Sequence, residues 1–142
     1  MTEINVSPSE WEVMRVIWTR NPITSKKVSE ILKEKKGWKL STTKTLIGRL
    51  VKKGMITSEA KGREYEYSPL VSQKESVGDM IEEVLNQVCA TKIGETIKII
   101  LENHELSLSD IEKLEKTLQV KKIDAPEEVA CDCIPGQCDC MG

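Results

Sequence analysis

Apolar positions in the first fifty residues recur three and four apart, in three bursts separated by Pro or Gly. Ser7-Pro8-Ser9-Glu10 reads as a capping box with Pro at the first helical position. It predicts a helix carrying Trp11, Met14, Val16, Ile17 and Trp18 on one face and ending at Asn21-Pro22. Thr24 is placed to cap a second helix with Val28, Ile31 and Leu32 inward and Gly37 past its end. Trp38 falls in the connection. Ser41 is placed to cap a third helix, Thr42 to Lys53, with Leu46, Ile47 and Leu50 as its buried stripe and Gly54 as its stop. The period then changes. Met55 to Ala60 and Glu64 to Ser68 read as two short strands joined around Lys61-Gly62-Arg63, a hairpin with a basic tip, and Pro69 closes the module.

Helical spacing resumes beyond residue 72. Val77, Met80, Ile81, Val84, Leu85 and Val88 mark one helix, and Ile93, Ile97, Ile100 and Leu101 a second. Ile111, Leu114 and Leu118 mark a third, beginning at Ser107 or Ser109. Three short helices with this much aliphatic surface are hard to bury alone. Packing against a second copy solves the problem, through a face that includes Met80, Ile81, Val84, Leu85, Val88, Ile97, Ile100, Leu101, Ile111, Leu114 and Leu118. Lys121 to Ala130 then read as a flexible link.

The expected fold class is therefore mainly α with a small β-hairpin. A winged helix-turn-helix occupies 1–71, a helical dimerisation region 72–122, and a linker with a Cys-rich metal-binding tail 123–142. In a winged helix the third helix enters the major groove by its N-terminal end while the hairpin approaches the backbone. Ser41, Thr42, Thr43 and Lys44 are thus the candidates for base contact. Arg49, Lys52, Lys53, Lys61 and Arg63 are candidates for phosphate, adding affinity without sequence information. Thr45 and Arg49 have the alternative role of bracing neighbouring helices.

Charge sharpens this division. The net charge is −2, yet residues 1–71 hold 14 Lys+Arg against 8 Asp+Glu and residues 72–142 hold 7 against 15. A basic half suits a polyanion, and an acidic half is repelled by one. With 39% hydrophobic and 31% charged residues the chain reads as a soluble globular protein. Phe is absent, so its cores must be mainly aliphatic. The longest aliphatic run is Ile99-Ile100-Leu101, far short of a membrane span, and no secretory signal is visible, so a cytoplasmic location is expected. No nucleophile-base pairing, phosphate loop or metal site with an obvious open position suggests an enzyme.

The chemistry concentrates at the C-terminus. Four of five cysteines fall in Cys131-Asp-Cys133-Ile-Pro-Gly-Gln-Cys138-Asp-Cys140. Pro135 and Gly136 occupy the two central positions of a type II turn, which folds one Cys-x-Cys arm back on the other. Residues two apart in an extended arm share a side, so Cys131 and Cys133 can face Cys138 and Cys140. Four soft thiolates select Zn(II), Cu(I) or an iron-sulfur cluster over hard cations. The one-residue spacing departs from common zinc and ferredoxin patterns and suits bridging thiolates and Cu(I) at least as well. Disulfide pairing and an unstructured tail are the other readings of the same residues. Cys89 reads as a buried small hydrophobe rather than a ligand, and His104 as a charge partner for a helix end.

Glu10-Trp11-Glu12-Val13-Met14 with Trp18, Thr43-Lys44-Thr45-Leu46, Arg49-Leu50-Val51-Lys52-Lys53-Gly54 and the strand from Tyr65 to Pro69 resemble the BlaI/MecI/CopY family of bacterial repressors. The Cys-x-Cys-x4-Cys-x-Cys tail resembles that of its copper-responsive CopY-type branch. The resemblance implies a homodimeric repressor of copper-homeostasis genes that binds an inverted-repeat operator with Zn(II) in the tail. It implies release when Cu(I), two per subunit and delivered by a copper chaperone, displaces the zinc from Cys131, Cys133, Cys138 and Cys140. A sibling branch is induced by cleavage at an Asn-Phe bond, which a chain without Phe does not offer. Zn(II) with four thiolates and two Cu(I) with four thiolates carry the same formal charge, so geometry rather than charge would be the signal. A thiol-redox regulator and a copper storage or carrier protein are the competing functions.

Overall fold

The structure is a computed structural model that describes residues 5–139. Among the described residues there are six α-helices and one small sheet, and the chain divides into two compact units, Met1–Asp79 and Met80–Gly142.

The first unit is built from local signals. Helix α1 runs Pro8–Arg20, with the Ser7 hydroxyl accepting from the Glu10 amide and the Glu10 carboxylate accepting from the Ser7 amide, a complete capping box. Helix α2, Ser25–Lys36, starts from a Thr24 cap and ends on Gly37, whose φ of +64° is the left-handed conformation that glycine adopts without strain. Helix α3 is Leu40–Lys52, one turn-fraction earlier than expected. Its N-cap is Lys39, which makes no side-chain cap bond, and Ser41 lies inside the helix. The C-terminus closes in a Schellman arrangement: Gly54 N–H donates to Val51 O and Met55 N–H to Leu50 O.

Strands β2, Ile56–Lys61, and β3, Glu64–Pro69, form the expected hairpin, turning through Gly62 at φ +64°. A strand that the pattern does not announce, β1 (Ile23–Thr24), pairs antiparallel with β3 through Tyr67 and Glu66. The sheet order is β1-β3-β2. Two residues are too few to show alternation, and β1 exists because β3 offers it a free edge.

Among the described residues, every buried apolar side chain belongs to this unit: Val13, Met14, Val16, Ile17, Ile23, Val28, Leu32, Leu46, Ile47, Leu50, Met55 and Ile56. Ile31, expected inward, is instead 39% exposed on the outer side of α2. Trp11 and Trp18 stack obliquely with centroids 5.5 Å apart, and Trp18 Nε1 donates to Val71 O at 2.9 Å, pinning the end of the wing to α1.

Helix α4 spans Gln73–Leu85, so Val88 lies past its end. The second unit continues with a single 3-10 turn at Ala90–Lys92, then α5 (Ile93–Asn103) and α6 (Leu108–Asp124), the last capped by Ser107. Lys121 to Asp124, expected in a flexible link, complete the last turn of α6. None of Met80, Ile81, Val84, Ile97, Ile100, Leu101, Ile111, Leu114 and Leu118 is buried within the chain. No described helix is long and apolar enough to cross a membrane.

Candidate functional site

Two sites follow from this architecture. The first is the exposed side of α3 with the hairpin. Ser41, Thr42, Lys44, Arg49, Lys52, Lys61 and Arg63 all reach solvent. An open groove of about 390 Å³ brings Lys44 from α3, Arg63 from the hairpin tip and Lys26 from the start of α2 to one surface, with Tyr65 and Tyr67 between them. Lys26 and Tyr65 line the same groove, which spacing within α3 could not reveal.

Two expected contacts are redirected by the structure. Thr43 is 0% exposed, packed on the inner side of α3, and its Oγ1 has no hydrogen-bond partner. Its position three, four and seven residues before Leu46, Ile47 and Leu50 puts it on the core stripe, a periodicity signal available from the sequence. Lys53 is the second. Its Nζ lies 2.7 Å from Glu10 Oε2 and 2.8 Å from Oε1, and also donates to Asn5 O. Glu10 is only 3% exposed, so this ammonium neutralises a buried carboxylate, a structural role that the sequence reading did not give it. Burial alone would raise the Glu10 carboxyl. The hydrogen bonds from Lys53 and Ser7 outweigh it and hold the group below the usual glutamate range.

The second site is a cluster of sulfurs. The turn at Ile134-Pro135-Gly136-Gln137 forms as expected, with Gln137 N–H donating to Ile134 O at 3.1 Å and Gly136 at φ +94°. Gln137 Oε1 accepts from the Ile134 amide at 3.0 Å and locks the loop. Cys131 and Cys138 Sγ come to 3.2 Å, and Cys133 joins them through its amide, which donates to Cys131 Sγ. Cys140 lies outside the described residues.

The fourth described sulfur belongs to Cys89. Contrary to the sequence reading, this side chain is half-buried rather than enclosed in a core. It sits between α4 and the 3-10 turn, with Sγ 3.6 Å from Cys131 Sγ and 3.1 Å from Thr91 Oγ1. The sulfurs of Cys89, Cys131, Cys133 and Cys138 all lie within 4.8 Å of one another. Four ligands at a Zn–S distance of about 2.3 Å require sulfurs about 3.8 Å apart, so the cluster fits a thiolate-bound ion with small adjustments.

Electrostatics point the same way. Cys131 is lowered by its backbone hydrogen bond from Cys133, but the thiols of Cys138 and Cys89 together with burial raise it overall. Cys133 is pushed far up, first by its thiol contact with Cys89 and then by Cys138 and burial. Crowded thiols resist ionising next to one another, and a cation reverses that preference.

A three-helix unit with a basic hairpin is the architecture of a winged helix, and the same chain carries a cluster of thiols. The penicillinase repressor family profile matches residues 6–120, and the chain belongs to that family, whose proteins are DNA-binding transcriptional repressors. It is 40% identical over 135 residues to a protein described as an uncharacterized 16.5 kDa protein in the ptsI 3′ region of Latilactobacillus sakei, covering 95% of this chain and 92% of that one. It is 29% identical over 117 residues to the penicillinase repressor of Bacillus licheniformis, covering 82% and 91%. Among solved structures, the CopR repressor is 43% identical over 48% of this chain and 99% of that one, with a TM-score of 0.42. The family match stops before Cys131, which leaves the cysteine tail outside the part shared across the family.

Proposed function

We propose that the chain is a copper-responsive repressor of copper-homeostasis genes, cytoplasmic and homodimeric, whose operator binding depends on the metal held by its tail. The observation that carries this reading is the convergence of thiols in a chain whose family binds DNA. Cys131, Cys133, Cys138 and Cys140 are the ligands of the repressing Zn(II) and of the inducing Cu(I), two ions per subunit supplied by a copper chaperone. The bound ion supplies a positive centre that lets adjacent thiols exist as thiolates.

At the other site, Ser41, Thr42 and Lys44 face base edges, and Arg49, Lys52, Lys61 and Arg63 meet phosphate, joined by Lys26. Two such surfaces related by a two-fold axis match an inverted repeat. The support for a dimer is the aliphatic face of α4, α5 and α6, which the chain alone leaves about half exposed.

Operator affinity of the zinc, Cu(I) and metal-free proteins, measured under anaerobic reducing conditions, tests the reading. Zinc protein is expected to bind about 5- to 150-fold more tightly than the Cu(I) form, the usual range of allosteric coupling. Equal affinities would sink it. Release by mild oxidant with no response to Cu(I) would favour a thiol-redox regulator, which the 3.2 Å approach of Cys131 to Cys138 also permits.

A further inference from the structure

Cys89 is separated from Cys131 by α5 and α6, and its sulfur nevertheless lies 3.6 Å from that of Cys131. A second contact secures the same junction: the Asp132 carboxylate accepts from the Ala90 amide at 2.9 Å. The tail is thus fastened by consecutive residues on each side, Cys89 and Ala90 against Cys131 and Asp132. The other sulfurs of the cluster belong to the tail itself, and an open cleft lined by Val88, Cys89, Lys92, Cys138 and Asp139 leaves Cys89 and Cys138 approachable from solvent. Thiol side chains that converge from two distant segments, in a position where none is enclosed in a core, have the form of a ligand set.

We propose that Cys89 is a thiolate ligand of the tail's metal, so that binding the ion fastens the tail to the junction between α4 and α5. This rests on the metal-responsive reading and adds to it the point at which the ion grips the helical unit. Each thiol that ligates gives its proton to solvent, and no redox change is involved. With Cys89 the chain holds five thiols for a tetrahedral site that takes four, and this assignment gives Cys89 the place that the tail motif alone would give Cys140.

Full-length wild type, Cys89→Ser and Cys140→Ser proteins, fully reduced, would be compared by chelator competition for Zn(II) and by thiolate-to-Co(II) charge-transfer absorption. Cys89→Ser is expected to weaken zinc by more than about tenfold, since loss of even an outer partner of a metal ligand typically costs 10- to 100-fold. It should also remove about a quarter of the charge-transfer intensity, one sulfur of four. Wild-type affinity and intensity in Cys89→Ser would overturn the assignment, whatever Cys140→Ser does. Hydrogen exchange on the unmutated protein gives an answer independent of any folding defect. Adding Zn(II) should slow exchange at amides 86–92 as well as 131–139, and slowing confined to the tail would also overturn it. None of these signals involves DNA. If wild-type operator affinity proves indifferent to metal, the repressor switch fails while ligation by Cys89 stands or falls on its own.

Discussion

Glu10 shows how much one residue can carry in a small domain. It completes the α1 capping box and, 43 residues away in sequence, holds Lys53 at the end of α3. Replacing Lys53 by Met leaves a nearly buried carboxylate without its charged partner. The expected loss is about 1 to 3 kcal/mol of stability by urea denaturation, with Lys52→Met within about 0.5 kcal/mol. Because folding depresses the Glu10 carboxyl, its contribution is complete at neutral pH. It begins to fade as pH falls through the ordinary glutamate value of about 4.3, and is gone below the folded value. The stability gap between wild type and Glu10→Gln should therefore narrow on acidification below about pH 4.3, and a constant gap would refute this account. None of this is visible from spacing. The capping box is a four-residue signal and legible, whereas the partner of its glutamate depends on how α1 packs on α3.

At the scale of elements, α3 illustrates the difference between finding a helix and phasing it. Leu46, Ile47, Leu50 and Gly54 suffice to locate the element and its C-terminus, since each acts within a turn or two. The N-terminus is less legible because Lys39 caps it without a side-chain bond, leaving Ser41 as a false start. Thr43 follows from phase, and the two neighbours Thr43 and Lys44 should separate cleanly. Thr43→Val keeps shape and removes an unpartnered buried hydroxyl, so stability should be unchanged or raised by about 1 kcal/mol, with operator affinity unaltered. Lys44→Ala should instead lower operator affinity and reduce the magnitude of the salt slope by about one, with little change in thermal unfolding. Loss of operator binding in Thr43→Val would return that residue to the interface. Strand β1 and the Cys89 contact were illegible for one reason: each is defined by a partner more than forty residues away.

The whole molecule divides its apolar surface unequally. Residues 13 to 56 supply a closed core, while α4 to α6 present Ile97, Ile99, Ile100, Leu114 and Leu118 to solvent at 41 to 57% exposure. The sequence announced this imbalance through its helical periodicity, and each of these side chains stays about half exposed within the chain. A second copy is the expected cover. Ile100→Glu combined with Leu114→Glu should shift sedimentation from dimer to monomer and weaken binding to a full inverted repeat. A half-site, which needs only one winged helix, should be bound as before. A double variant that sediments as a dimer would remove α5 and α6 from the interface. The cysteine cluster belongs to this scale too, since three of its described sulfurs were legible as a motif and the fourth only as a coordinate.

The turn at Pro135-Gly136 carries one further consequence, which concerns time. Cys131 and Cys138 lie seven positions apart, the kind of closure a chain completes in roughly 10 to 100 ns. Cys89 meets them across 42 residues that include two helices, and so cannot take its place until those helices have formed and settled. A nascent or relaxing chain therefore possesses a local sulfur trap well before it possesses the complete one. On the proposed reading, an arriving ion would be caught first by the tail and secured to the helical unit later, so capture and response would be successive events with separate rates.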